Sequence, residues 1–173
     1  MAHLIKDLFE LAKLDDPQLA LQREKVNLTK WFQQQIVEFY PEIEEKGFRL
    51  EVQVPEEPLF VLMDKFHMNR VITNLITNSL KYNRTGTLLF VSCEKVEGKA
   101  ILLVGDDGIG VEADIKEHIF EEFVHSAGAG KDSTGLGLAI CKKIIGLHQG
   151  TIELKKDSRY TTLFCISLPC DNL

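Results

Sequence analysis

Three stretches of the chain place reactive or ligand-type residues at spacings that chemistry could use. In the first, Asn74, Asn78 and Lys81 fall within roughly 60° of one another at about 100° per residue on a helix, and Arg70 and His67 extend the stripe. Met68, Ile72, Leu75 and Ile76 lie on the opposite side. Asparagine is a poor helix former, so two of them four apart cost propensity that lysine or glutamate on an outer face would not. An asparagine carbonyl is a neutral oxygen ligand, suited to a Mg2+ that keeps its waters and draws its charge compensation from phosphates.

The second stretch is Asp106-Asp107-Gly108-Ile109-Gly110, directly after an apolar run. Its glycines permit a tight turn and close approach to a ligand, and a carboxylate at a strand end can accept a hydrogen bond from an exocyclic amine such as adenine's. Taken alone, it reads equally as an ordinary Asp-Gly turn. The third is STGLGLAI, 133–140, a loop that feeds a helix. There Gly135 and Gly137 open the helix N-terminus, whose N–H groups form an anion site of the kind phosphates occupy. Two better-known phosphate motifs are excluded. A P-loop ending at Gly128-Ala129-Gly130-Lys131 would need glycine at His125 and Ser or Thr at Asp132, and a Rossmann fingerprint starting at Gly135 fails at Ile140.

The elements that must position these groups follow from periodicity. Residues 1–14 have a helical period with a broad apolar face, broken at Asp15-Asp16-Pro17. This segment reads as the end of a longer helix, or as a helix docked on its own domain. Asn27 is the expected N-cap of a second helix running to about Lys46 through Pro41, with Gly47 as its terminator. Residues 48–54 alternate as a strand, 60–63 form a short one, and Asp64 caps the asparagine helix, which continues to about Tyr82. Strands over 88–94 and 100–107 are joined by a turn at Glu97-Gly98, residues 124–134 form a lid-like loop, and a helix from about Leu136 to His148 precedes strands 151–156 and 160–168. Strands in pairs interrupted by helices predict an α+β fold, a mixed sheet covered by helices on one face.

Composition narrows the classes. A chain of 173 residues supports one main core, and 26 acidic against 20 basic residues, net −6, disfavours a nucleic-acid surface. Cys93, Cys141, Cys165 and Cys170 show no C-x-x-C spacing and sit mostly in apolar runs, as reduced core thiols do. No run approaches the ~20 apolar residues of a membrane span, so no membrane contact by this segment is expected.

In order, these elements resemble the GHKL ATPases, the group that contains gyrase, a heat-shock chaperone, MutL and the sensor histidine kinases. VITNLITNSLKYN is similar to the asparagine box, VGDDGIGV to the first glycine box, HIFEEFVH to the phenylalanine box and TGLGLAICKKIIGLHQGTI to the second glycine box. Upstream, LIKDLFELAKLDD followed by VNLTKWF resembles the end of a kinase dimerisation helix and its linker, which implies a division into 1–26 and an ATP-binding domain over 27–173. The resemblance implies a two-layer α/β sandwich, mostly antiparallel, binding ATP and Mg2+ under a lid at about 124–134. Asn78 would ligate Mg2+, Asn74 support it, Lys81 reach the phosphates, Tyr82 pack near the adenine and Asp106 bind its amine. Gly108, Ile109 and Gly110 would shape that pocket, Thr134, Gly135, Leu136, Gly137 and Leu138 would wrap the triphosphate, and Phe120 and Phe123 would anchor the lid.

Three positions depart from the family pattern. His125 stands where an arginine aimed at the γ-phosphate is usual, with Lys131 a possible substitute; Asp107 replaces an asparagine; Ser133 replaces a glycine. A histidine kinase needs a phosphoacceptor histidine followed by an acidic residue and a nearby proline. None of His3, His67, His118, His125 or His148 has that setting, and His148 reads as a cation at a helix end. The expected activity is therefore transfer of the γ-phosphate to a histidine on a dimerisation domain outside this segment, in a cytoplasmic portion of a membrane-anchored homodimer that also meets a response regulator. A degenerate interaction module and an anti-sigma-factor serine kinase are the alternatives.

Overall fold

A computed structural model describes residues 1–126 and 133–170. The chain begins with α1 (Ala2–Leu14) and a short strand β1 (Glu24–Asn27), followed by α2 (Leu28–Glu45), β2 (Arg49–Gln53), β3 (Phe60–Met63) and α3 (Lys65–Tyr82). The hairpin β4 (Leu88–Val96) and β5 (Lys99–Asp106), a 3-10 turn at Lys116–His118, α4 (Gly137–Leu147), β6 (Thr151–Leu154) and β7 (Thr162–Pro169) complete it. Five strands form one sheet in the order β2-β4-β5-β7-β6, with β2 parallel to β4 and every other pair antiparallel. The expected α+β class and mostly antiparallel sheet are borne out.

Alternation along the strands divides the sheet into two faces. Leu89, Val91, Leu102, Val104 and Ile166 join Phe32, Ile36, Ile72, Ile76, Ile140 and Ile144 of the helices in the main core. The other face carries a smaller cluster of Phe90, Tyr160 and Leu163, with the Phe90 and Tyr160 rings stacked 4.6 Å apart. The turn between β4 and β5 puts both Glu97 (φ 49°) and Gly98 (φ 77°) in the left-handed region, the geometry that suits a two-residue hairpin.

Capping follows the sequence. Asn27 accepts from the Lys30 N–H at 3.1 Å to start α2, Gly47 (φ 66°) follows its end, and Asp64 accepts from the His67 N–H at 3.1 Å to start α3. Residues 24–27, which carry a single apolar side chain and no alternation, nevertheless pair antiparallel with β3 from Glu24↔Met63 to Asn27↔Phe60. This strand was not anticipated. Helix α1 docks along its length, with Leu11 and Leu14 in the core, Leu4 packed against it and Asp7 buried, whereas Ile5 and Phe9 are exposed.

His148 departs from its expected role as a helix-end cation. It is buried, and its Nε2 accepts from the Asp64 N–H at 3.0 Å, which requires a neutral ring whose Nδ1–H donates to the Ile144 carbonyl at 2.7 Å. Burial holds its pKa below the ordinary value, reinforced by Arg23 and His67 and opposed by the Ile144 carbonyl and Asp64. Burial also opposes ionisation of Asp64, but hydrogen bonds from the His67 and Gln22 N–H groups, with the His67 ring close beside it, outweigh it and lower its pKa.

Because the folded His148 binds a proton less readily than the unfolded chain, its contribution to stability is complete above the unfolded value of 6.5, begins to be lost as pH falls past it and goes on being lost down through the lower folded value. The melting temperature should therefore drop between about pH 7.5 and about pH 5.5, and less steeply in His148→Phe. That variant should also lose about 1–3 kcal/mol at neutral pH, because the Asp64 N–H is left without an acceptor. Thermal unfolding of both proteins across this range measures each effect.

Candidate functional site

Apart from His67, which lies against Asp64 instead, the stripe read from the sequence faces an open cleft of about 600 Å³ bounded by α3, α4 and the end of β5. The apolar side of α3, including Met68, Ile72, Leu75 and Ile76, is buried in the core, so the turn of the helix leaves Arg70, Asn74, Asn78 and Lys81 lining the cleft. Asn74 is itself buried. Its Nδ2 donates to the Gly137 carbonyl at 3.0 Å and to Cys141 Sγ at 3.5 Å, which makes it a strut between α3 and α4. The side chain of Asn78, one turn further on and half-buried, has no hydrogen-bond partner among the described residues. Lys81 is exposed, its Nζ lying 5.5 Å from the centre of the Tyr82 ring, and the Tyr82 hydroxyl donates to Ser133 Oγ at 2.8 Å.

At the floor stands Asp106, the last residue of β5, 3% exposed. One carboxylate oxygen accepts a short hydrogen bond from the Ser79 hydroxyl, and the other accepts from the Gly108 N–H at 3.0 Å. Burial pushes the Asp106 pKa up, and nearby Asp107 adds to this, while hydrogen bonds from Ser79, Gly108 and Asn83 pull it partly back. A Cβ at Gly108 would lie 1.8 Å from Asn83 Oδ1, the atom that accepts from the Ile109 N–H at 2.9 Å. Asn83 Nδ2 in turn donates to the Ser79 carbonyl at 3.0 Å, and Thr161 Oγ1 donates to the Gly108 carbonyl at 2.8 Å.

Ser79, Asn83 and Thr161 are thus parts of the site that sequence reasoning did not single out. The first two lie within the asparagine-rich stretch, and Thr161 gave no signal. Asp107, which replaces the family's asparagine, does not line the cleft. It turns outward, where its Oδ1 accepts from the Leu88 N–H at 2.7 Å and its Oδ2 from Arg49 at 3.0 Å.

The third stretch closes the opposite end. Gly135 (φ 69°) adopts a conformation that L side chains rarely take, and a Cβ there would lie 2.8 Å from the His125 ring. At Gly137, by contrast, a Cβ would find only ordinary contact with Asn74 at 3.6 Å. Helix α4 starts without a side-chain cap, which leaves its first N–H groups open to an anion. Thr134, Leu138 and exposed His125 line the cleft together with Ile109 and Gly110.

Two predicted residues face elsewhere. The Leu136 side chain is wholly buried in the core, and its N–H donates to Thr134 Oγ1 at 3.3 Å. Phe123 is 55% exposed and contributes through its backbone, whose N–H donates to the Gly135 carbonyl at 2.9 Å. Phe120 does pack inward, edge-on to Phe164. Lys131 and the central part of the expected lid lie outside the described residues.

The family of histidine kinase-, DNA gyrase B- and HSP90-like ATPases matches residues 63–172, which include α3, the floor and α4. The chain belongs to that family. Membership of an ATPase family implies nucleotide binding. The sensor protein SrrB of Staphylococcus aureus (strain MRSA252) is 28% identical over 169 residues, 96% of this chain and 29% of SrrB, so the chain spans about three tenths of that relative's length. Among solved structures, the Acinetobacter baumannii histidine kinase AdeS superposes with a TM-score of 0.78 at 26% identity, covering 99% of this chain and 79% of AdeS. Histidine kinase ThkA in complex with the response regulator protein TrrA shares the fold, with a TM-score of 0.81 at 22% identity over 98% of this chain and 47% of ThkA.

The geometry of the ATPase floor makes Gly108 and Asn83 interdependent. Gly108→Ala should cost about 1–3 kcal/mol by forcing Asn83 off the Ile109 N–H. In an Asn83→Ala background the same change should cost markedly less, since the colliding atom is gone. A double-mutant cycle from chemical denaturation measures the difference; equal penalties in both backgrounds would show that the collision is not what restricts position 108.

Proposed function

We propose that this chain is the Mg-ATP-binding catalytic domain of a sensor histidine kinase, which passes the γ-phosphate of ATP to a histidine on a dimerisation domain. The observation that carries the reading is a single cleft with a buried carboxylate at one end and an uncapped helix N-terminus at the other, bridged by the asparagine stripe of α3. One end suits a base, the other its phosphates. Asp106 keeps lone pairs free to accept from the adenine amine beside the Tyr82 ring, while Ile109 and Gly110 bound that part of the cleft.

Asn78 fits a Mg2+ ligand: a neutral oxygen donor in the cleft, with no partner among the described residues to compete for it. Those residues hold no group of three or more His, Cys, Asp or Glu side chains fit for a metal, which suits an ion held largely through phosphate oxygens. Such an ion, when bound, neutralises charge on the phosphates. The chain's own part is positioning. Backbone N–H groups at the start of α4 receive phosphate oxygens, Asn74 fixes α4 against α3, and Lys81 reaches toward the phosphates from the rim. His125, which lines the cleft, and Lys131, outside the described residues, are alternative candidates for the cation that the family pattern puts at the terminal phosphate.

No covalent nucleophile is needed within such a domain, because phosphoryl transfer rests on alignment and charge stabilisation. The acceptor histidine belongs to the dimerisation domain of a homodimeric full-length kinase, and a response regulator takes the phosphoryl group onward, as the presence of TrrA with ThkA suggests. No described helix is long and apolar enough to cross a membrane. We place the domain on the cytoplasmic side of a membrane-anchored sensor.

Mg-ATP at about 100 times its dissociation constant should stabilise the protein by roughly 2.7 kcal/mol, read as a rise in melting temperature, and Asn78→Ala should abolish the Mg2+-dependent part. Labelled γ-phosphate should pass to a separately supplied dimerisation domain carrying its histidine. No thermal shift and no transfer would sink the assignment.

Acidification provides a further test. Asp106 accepts the amine only as a carboxylate, and its raised pKa means that this form is lost at a higher pH than for an ordinary aspartate. Nucleotide affinity should therefore decline in mild acid. Asp106→Asn should bind weakly at every pH and show little of that decline in a calorimetric titration.

A further inference from the structure

Helix α1 reaches the phosphate end of the cleft. Asp7 is buried there, and its two oxygens are both engaged: Oδ1 accepts from Arg70 Nη2 at 2.6 Å and Oδ2 from the Thr134 hydroxyl at 2.6 Å. Arg70 Nε also donates to Glu10 Oε2 at 3.0 Å. Arg70 lies two turns before Asn78 on the same stripe, and Thr134 ends the loop that leads to the open N–H groups of α4. Both are positions where a terminal phosphate would seek donors. In this arrangement a carboxylate holds them.

The charge balance sharpens the point. Two carboxylates around one guanidinium leave this corner one unit negative, although a nucleotide brings more negative charge to it. Without α1 the same corner would carry the full charge of an arginine, which no accessible pH removes. Apart from half-buried Leu4, which packs against the core, the grip on the first turns of α1 is polar, since Ile5 and Phe9 are exposed and the buried anchors Leu11 and Leu14 come later. Those turns can release while the end of the helix stays docked.

We propose that Arg70 is a cation for the terminal phosphate and that Asp7 and Glu10 hold it away, so that nucleotide binding and docking of the first turns of α1 oppose each other. This rests on the nucleotide reading above. Phosphate oxygens replace Asp7 as acceptors for Arg70 and Thr134, and no bond to phosphorus is made or broken in the exchange. By linkage, whatever factor α1 docking costs the nucleotide, the nucleotide costs α1 docking.

The test is titration of the whole chain with ADP and with a non-hydrolysable ATP analogue, each with Mg2+. Asp7→Asn keeps the shape and removes the charge, and should bind the ATP analogue roughly fivefold tighter than wild type. Arg70→Gln should weaken the analogue by about tenfold and ADP far less, because ADP lacks the terminal phosphate, and Arg70→Lys should restore part of the loss. Hydrogen exchange on the wild-type protein needs no variant: amides in the first turns of α1 should exchange faster when the analogue is bound.

Equal or weaker analogue binding by Asp7→Asn, an Arg70→Gln effect of the same size on ADP, or slower exchange in α1 would each overturn the proposal while leaving nucleotide binding in place. Failure of wild type and every variant to bind either nucleotide would overturn the parent reading and this one with it.

Discussion

A carboxylate buried at the end of the central strand cannot stay ionised without partners, and meeting that need sets the geometry of the whole cleft. Asp106 sits where β5 is flanked by Leu89 of β4 and Thr162 of β7, so the sheet itself gives its side chain no freedom to escape. Its partners must come from elsewhere. Ser79 supplies one only if α3 has a particular rotation and height above the sheet, and Gly108 supplies the other only if the chain turns sharply after the strand. Once Ser79 is fixed, the helical period fixes the outlook of Asn78 and Asn74.

The two ends of the cleft are built on different principles. Around Asp106 the contacts converge on one buried carboxylate, and Asn83 ties the helix end to the turn through two backbone groups. Such a network resists small adjustments, because any shift strands a polar group. At the start of α4 the working groups are backbone N–H donors with no cap, and what surrounds them is a set of exchangeable side-chain bonds, Tyr82 to Ser133 and Thr134 to Asp7. A rigid end can select a base by shape, and a yielding end can admit a ligand whose charge and length change during turnover.

How much of this was legible depended on whether the governing constraint was local. The α3 stripe could be read because period and capping are properties of consecutive residues, and Asn27, Asp64 and Gly47 marked their helix ends for the same reason. The outward turn of Asp107 was also within reach, since successive strand residues point to opposite faces and Asp106 had already been assigned inward. Strand β1 was not, because Glu-Lys-Val-Asn has no alternation and is held by its partner β3. The Arg49–Asp107 pair, the Thr161 bond to Gly108 and the engagement of Asp7 by Thr134 join residues far apart in the chain, and no spacing rule announces them. His148 misled because a histidine at a helix end ordinarily meets solvent, whereas here the start of α3 lies on it.

Cys93 and Cys141 are buried, and burial pushes both thiols up to about 12, while Cys165 is also buried and only Cys170 is half exposed. Thiolate is the reactive form, so in the folded protein Cys93 and Cys141 are nearly inert to alkylating reagents and mild oxidants. They become reactive when the chain opens. Cys141 shares Asn74 with the α3–α4 junction, and Cys93 lies in the middle of the sheet. The molecule therefore contains its own pair of opening clocks, one beside the cleft and one in the sheet, whose relative alkylation rates separate a local parting of the two helices from global unfolding.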